Sequence, residues 1–423
     1  MINNTSNFKR LLPLLLVIFL DSFSFFIVLP ILLRLFYQND LGLLSADTSL
    51  ATRNILTGIA ISTSTCAALL AAPFIGSLSD KYGRKSTMLV CLSGLMVGFI
   101  LPIIGIWQKS IFLIFAGRFF SGVGSASQPV AQAAVADVCE DKEKAFYFSL
   151  IALMMTLPII VGPLAGGYLS DSALSSWFTV STPFYTVLFL TLSAFIMIVF
   201  SFHETLIASK KHVEIIGFWY VVTHLPVMMK RYQIGALCFI FFFLEMAWSQ
   251  YYQSIFLYLH QTAHYSAQQV SLYNAYMGVL MSIGLMFLYP LFIRFLSVSN
   301  LMRLSLVMAL VGFTGVAFLQ TTFAQWLFVP FIAIFSGIGY VSLLSLISNR
   351  VDPKEQGKMM GYASTLLYVA WMVTAFNGGW LISLFPACPL YVAAGFVLLA
   401  NGGVLIARNR DVAAVPALSP SNS

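Results

Sequence analysis

Apolar runs of about 20 residues follow one another along the 423-residue chain, broken by clusters of charge, glycine and proline. A helix rising about 1.5 Å per residue needs a run of that length to cross the hydrocarbon of a bilayer. Twelve such segments stand out, near 11–36, 54–78, 86–107, 111–136, 146–169, 182–202, 234–257, 270–293, 302–320, 325–348, 359–384 and 389–407. The breaks are short except one, His203 to Gln233, which holds Lys210, Lys211, Lys230 and Arg231. The pattern predicts an all-α integral membrane protein of twelve transmembrane helices in two six-helix bundles. The first bundle is expected over 1–202, a linker over 203–233, the second bundle over 234–407 and a tail over 408–423.

The polar positions give an orientation. With both termini on the cytoplasmic side, 18 of the 22 lysines and arginines fall in inside segments, as the positive-inside rule requires. Arg34, Arg53 and Lys109 are then outside, and Arg118 lies within a helix. The first run is too long for the apolar core of a signal peptide and lacks a small-residue cleavage site, so it reads as a retained span. Compact loops suggest a bacterial inner membrane. The two halves also echo each other: "SGVG" at Ser121–Gly124 returns as "SGIG" at Ser336–Gly339, an offset of 215 that also pairs Asp137 with Asp352 and Glu140 with Glu355. A repeat of half the chain implies two related bundles facing one another.

Composition narrows the function. With 59% hydrophobic and 9% charged residues, no water-soluble catalytic domain is left over. There is no Walker loop, HExxH or GxSxG, so an enzyme and ATP as energy source are both disfavoured. The net charge of +7 reads as topogenic, not as a nucleic-acid surface. Five scattered cysteines without a CxxC pair predict neither disulfide framework nor metal site, and no cofactor is expected. The partners expected are the lipid bilayer, a small molecule and protons, with no obligate protein partner.

Three charges fall deep inside spans, where ionised groups cost several kcal/mol unless paired, hydrated or neutralised. Asp21 lies roughly 15 Å into helix 1, Arg118 about 11 Å into helix 4 and Glu245 about 17 Å into helix 7. All are near the midplane, where carriers place their sites. Helical spacing puts Ser24 and Phe25 beside Asp21, Ser121, Gly122 and Ser125 beside Arg118, and Trp248, Ser249 and Tyr252 beside Glu245. Such faces suit a wet cavity, although an aromatic stripe in a membrane helix is usually plain packing. Asp21 and Arg118 are expected to pair, either as a fixed lock of helices 1 and 4 or as a pair broken by protonation. Glu245 has no deep basic partner in its half and becomes the candidate proton carrier or anchor for a cationic cargo. Asn274, Tyr340 and Trp371 are further cavity candidates.

The motifs now add a resemblance. "GSLSDKYGRKS", Gly76 to Ser86, is similar to the loop 2–3 signature of the major facilitator superfamily through Gly76, Leu78, Asp80, Gly83, Arg84 and Lys85. "LDSFSFFIVLP" with Asp21 and Pro30, "GRFFSGVGSAS" with Arg118, and "VGPLAGG" with Gly162, Pro163, Gly166 and Gly167 resemble its twelve-helix drug:proton antiporter branch. "HETL" at His203–Leu206 is another habit of that family. The resemblance implies a charge cluster of Asp80, Arg84 and Asp137 that latches the cytoplasmic side near the start of helix 11. The second half has Ser297 and Leu301 where Asp80 and Arg84 stand, so the latch is expected to be one-sided. The resemblance also implies a secondary active exporter of a small amphiphilic compound, such as a drug or siderophore-like metabolite, in exchange for protons. A proton-coupled nutrient importer and a non-transporting receptor or scaffold are the competing readings.

Overall fold

The computed structural model describes residues 4–39, 41–138, 141–205, 217–352 and 355–411. Lys210, Lys211, Glu140, Lys354, Leu206 and the tail beyond Asp411 lie outside them. Among the described residues every regular element is a helix, and each of the twelve expected spans has one. Span 1 is α1 (Asn4–Phe26) and α2 (Val28–Tyr37), span 2 is α3 (Leu50–Tyr82), span 3 is α4 (Arg84–Trp107). Span 4 is α5 (Ile111–Gly124) with α6 (Ser127–Val138), span 5 is α7 (Asp141–Leu169), span 6 is α8 (Thr182–Ser201). The linker contributes α9 (Phe218–Arg231). Spans 7 and 8 are α10 (Gly235–Ala263) and α11 (Ala267–Ile283), the latter continuing through a π-helical turn (Gly284–Leu288) into α12 (Tyr289–Phe292). Spans 9 to 12 are α13 (Val298–Leu319), α14 (Thr322–Asn349), α15 (Gln356–Leu384) and α16 (Cys388–Asp411).

Eight of these spans are long and apolar enough, by length and composition, to cross a membrane, and Leu153–Leu169 and Cys388–Val404 are shorter apolar helices. The two spans that fall short are informative. Span 4 is split at Ser125–Ala126, and α10 carries Glu245, Gln250, Gln253 and His260 along its length. These are the spans that hold Arg118 and Glu245. Outward-facing rings such as Phe112, Phe200 and Phe318 stay more than two thirds exposed, which suits a lipid-facing surface.

Small residues set the helix crossings, as they do in membranes where there is no hydrophobic drive between helices. A methyl on Gly98 of α4 would come 2.5 Å from Ser121 N of α5, and one on Gly312 of α13 would come 2.8 Å from Ile332 of α14. In each half, therefore, the third and fourth spans approach closely at a glycine of the third. Span 1 breaks because Pro30 has no N–H to return to the carbonyl of Phe26. Span 4 breaks where Gly122 and Gly124 weaken the helix and the Ser125 hydroxyl bonds back to Ser121 O at 2.9 Å. Its repeat partner, Ser336–Gly339, runs unbroken inside α14.

Candidate functional site

Two adjoining cavities occupy the middle of the molecule. The first, about 170 Å³, lies between α1, α3, α5 and α15 and is lined by Asp21, Ser24, Phe25, Arg118, Ser125 and Trp371 among others. The second, about 280 Å³, lies between α1, α7, α10, α14 and α15 and holds Glu245, Trp248, Tyr252 and Tyr340. Ser22, Phe26, Leu367 and Trp371 belong to both linings, so they form the partition. Asp21 and Arg118 therefore share one cavity, and Glu245 lies in the one beside it. Asn274, fully buried on α11, belongs to neither lining.

The expected ion pair of Asp21 with Arg118 is not what the geometry shows. Among the described residues no ion pair joins them, although both line one cavity. Asp21 lies with its two carboxylate oxygens 2.8 and 2.7 Å from Ser127 Oγ. Ser127 is the first residue of α6, so the break in span 4 turns a helix N-terminus, with its partial positive charge, towards a carboxylate. Arg118 turns the other way, onto α3: Nε donates to Ala60 O at 3.1 Å and Nη2 to Ser64 Oγ at 2.6 Å. Gly122 makes this possible, since a methyl there would sit 2.1 Å from Ser64 O. The guanidinium also stands 5.8 Å over the Phe25 ring.

Glu245 is 4% exposed, and among the described residues its carboxylate accepts one hydrogen bond, from Trp371 Nε1 at 3.4 Å. Trp371 packs edge-on to Phe25, with ring centroids 5.7 Å apart, and lies 6.1 Å from Tyr252. An aromatic relay therefore runs from Arg118 through Phe25 and Trp371 to Glu245. Ser127, Ser64, Phe26 and Ser336 are lining or partner residues that helical spacing does not single out. Only the break in span 4 brings Ser127 to Asp21, and nothing in the sequence pattern marks that break sharply.

The remaining motifs sit at the ends of the bundle and at its seam. Arg84 pairs with Asp80 at 2.6 Å and with Asp137 at 3.1 Å, the cluster expected. Gly83, at φ +100, makes the turn, and Glu204 of "HETL" caps α4 by accepting from Arg84 N at 2.9 Å and Lys85 N at 3.1 Å. Lys85 Nζ donates to Val199 O at 2.8 Å. The latch itself is disengaged. Gly76, Ser77 and Asp80 face Met360, Gly361 and Ser364 of α15 across a cleft of about 410 Å³. The second half keeps Ser297 and Leu301 where Asp80 and Arg84 stand, and Asp352 has a basic residue of the linker beside it instead. Arg231 lies 3.9 Å from Asp352 and 3.2 Å from Glu355, and Tyr232 Oη donates to both.

The opposite end is sealed. A methyl on Gly58 would meet Ala375 O at 2.8 Å, and one on Gly379 would meet Asn54 O at 2.2 Å, so α3 and α15 touch backbone to backbone. Tyr37 and Gln261, one from each half, both donate to Asn54 Oδ1. Arg34 and Arg53, the outlying basic residues, serve structure here. Arg34 pairs with Asp171 at 3.1 Å, and Arg53 donates to Phe36 O, Asn39 Oδ1, Ser45 O and Thr48 O. Between the ends, Gly162 and Gly166 of the helix 5 motif let α7 ride on the break at Ile27, and Gly167 lets it meet Ser271 of α11 in the other half. Pro163 lies inside α7 between them.

The helices thus enclose two adjoining cavities, with a tight seam at one end and a cleft at the other. The model of the Major Facilitator Superfamily matches residues 14–375. The chain belongs to that superfamily. It is a secondary transporter of the membrane, not an enzyme. A tetracycline resistance protein of class C from Escherichia coli is 23% identical over 304 residues, covering 70% of this chain and 72% of that one. A class H tetracycline resistance protein from Pasteurella multocida is 28% identical over 163 residues, which span only 38% of its length. The crystal structure of the human organic anion transporter MFSD10 (TETRAN) superposes with a TM-score of 0.71 at 18% identity, covering 94% of this chain and 99% of that one. A D-xylose-proton symporter matches with a TM-score of 0.69 at 12% identity, over 93% and 96% of the two chains. At such identities the two structures attest the fold alone.

Proposed function

We propose that this superfamily member is a proton-coupled exporter of a small amphiphilic molecule, with the latch end facing the cytoplasm of a bacterial cell. The observation that carries the reading is the pair of adjoining cavities, which hold two carboxylates and a guanidinium behind one shared wall. A carboxyl group in a cavity that opens to alternate sides takes up a proton on one side and releases it on the other, and cargo moves the opposite way. The packing of the helix 5 glycines on α1 and α11 supports export, and relatives named for tetracycline resistance support a drug-like cargo. Asp21 anchors helix 1 to helix 4 through Ser127, and Glu245 carries the exchanged proton. The test is flux in proteoliposomes under an imposed pH gradient. Cargo should move against the proton flow, and Glu245→Gln should abolish that coupling while the variant still inserts in the membrane. Accumulation of a nutrient along with the protons would make the carrier an importer, and normal coupling in Glu245→Gln would remove Glu245 from the mechanism.

A further inference from the structure

The described lining of the Glu245 cavity supplies no basic side chain. Among its lining residues Glu245 is the only charged side chain, and Arg118 lies beyond the partition. A buried carboxylate with a single hydrogen bond of 3.4 Å keeps most of its lone pairs unused, which is costly out of water. Around it stand the rings of Phe26, Trp248, Tyr252, Tyr340 and Trp371, whose faces attract a cation. Two hydroxyls of the same lining, Tyr252 Oη and Ser336 Oγ, are buried with no hydrogen-bond partner among the described residues. Buried polar atoms of that kind are rare and call for an explanation. Both oxygens can accept hydrogen bonds, so a ligand with several N–H groups to give would satisfy them together with Glu245.

We propose that this cavity binds a protonated aromatic amine, its ammonium N–H groups donating to Glu245, Tyr252 and Ser336 and its ring held against Trp248 and Trp371. The inference rests on the reading of Glu245 as part of the carrier site and names the cargo class for it. It also separates two kinds of organic cation. A quaternary ammonium satisfies the charge and the rings but donates nothing to the two hydroxyls. A protonated amine satisfies all three. Ammonium and proton compete for one carboxylate, which is the exchange that antiport requires. The space of about 280 Å³ lies just under the usual range for small-ligand pockets, from roughly 300 Å³ upward, so the ligand is small.

The probes are 1-naphthylmethylamine, its N,N,N-trimethyl analogue and 1-naphthylmethanol, which share one ring and differ in charge and N–H groups. Binding to the full-length protein in nanodiscs at pH 7 is read from quenching of tryptophan fluorescence. The amine is expected to bind at least tenfold more tightly than the alcohol and several-fold more tightly than the trimethyl compound. Glu245→Gln should erase the advantage over the alcohol, and Ser336→Ala or Tyr252→Phe should narrow the gap between amine and trimethyl compound. Equal affinity of amine and alcohol in the native protein overturns the proposal, whether or not any variant folds. So does an unchanged amine affinity in a folded Glu245→Gln. Flux under a pH gradient, measured separately, keeps the two readings apart. Amine binding without proton-coupled movement defeats the transport reading alone, and coupled movement of other cargo without amine binding defeats this one alone.

Discussion

Glu204 shows how a residue outside the spans governs one inside them. Its carboxylate closes the exposed N–H groups at the start of α4, and Gly83 can hold φ +100 beside it because it has no side chain. A methyl on Gly83 would also lie 2.3 Å from Glu204 Oε2. Glu204→Ala should therefore cost about 1 kcal/mol, the usual effect of losing a helix cap. Gly83→Ala should cost at least as much, through strain as well as collision. Thermal melting in detergent measures both, and unchanged midpoints would show the cap to be idle. At this scale the sequence was a good guide to which residues matter and a poorer one to what they touch. Asp21, Arg118 and Glu245 all line the adjoining cavities inside the molecule. The partner of Asp21 was misjudged because opposite charges on neighbouring helices suggest a pair, whereas the break after Gly124 puts Ser127 within reach.

Among the elements, α9 changes the picture most. The repeat shows Asp352 as the counterpart of Asp137, but the second half has Leu301 where the first has Arg84. The linker supplies an arginine instead, with Arg231 and Tyr232 gripping Asp352 and Glu355. Exposed pairs are individually worth little, so the grip depends on the cluster. The hydrogen bond to Glu355 chiefly, with burial and Asp352 after it, raises the Tyr232 phenol to about 12. A raised value means that this contribution is complete below the ordinary phenol value of 10 and is lost as pH climbs through 12. The grip is therefore indifferent to physiological pH. Replacing Arg231 by Ala and Tyr232 by Phe together should speed amide hydrogen exchange across Phe218–Arg231 by at least tenfold, with α10 unaffected. Equal exchange in both proteins would show that α9 is held by its apolar face alone, where Val221, Leu225 and Met228 are buried.

For the whole molecule, the helical segments and the sequence echo between the halves were legible because apolar length and a half-chain repeat are properties of the string itself. Which end is open was not legible, since one sequence must encode both states of a carrier. The structure answers with a tight seam of Gly58, Ala375, Asn54 and Gly379 at one end and an unfilled cleft at the other. Gly379→Val should wedge that seam and shift the population towards the opposite state. A cysteine at Gln261 would then react faster with maleimide in nanodiscs than in the parent protein. No change in rate would mean that the seam yields without opening.

The cleft beneath Asp80 also has pharmacological meaning. On the proposed reading, reaching the other state would bring α3 down onto the start of α15 and erase about 410 Å³ between them. A compound lodged against Gly76 and Gly361 would act as a doorstop: it would stall turnover without competing for the transport site, so no excess of cargo would rescue the stalled molecule.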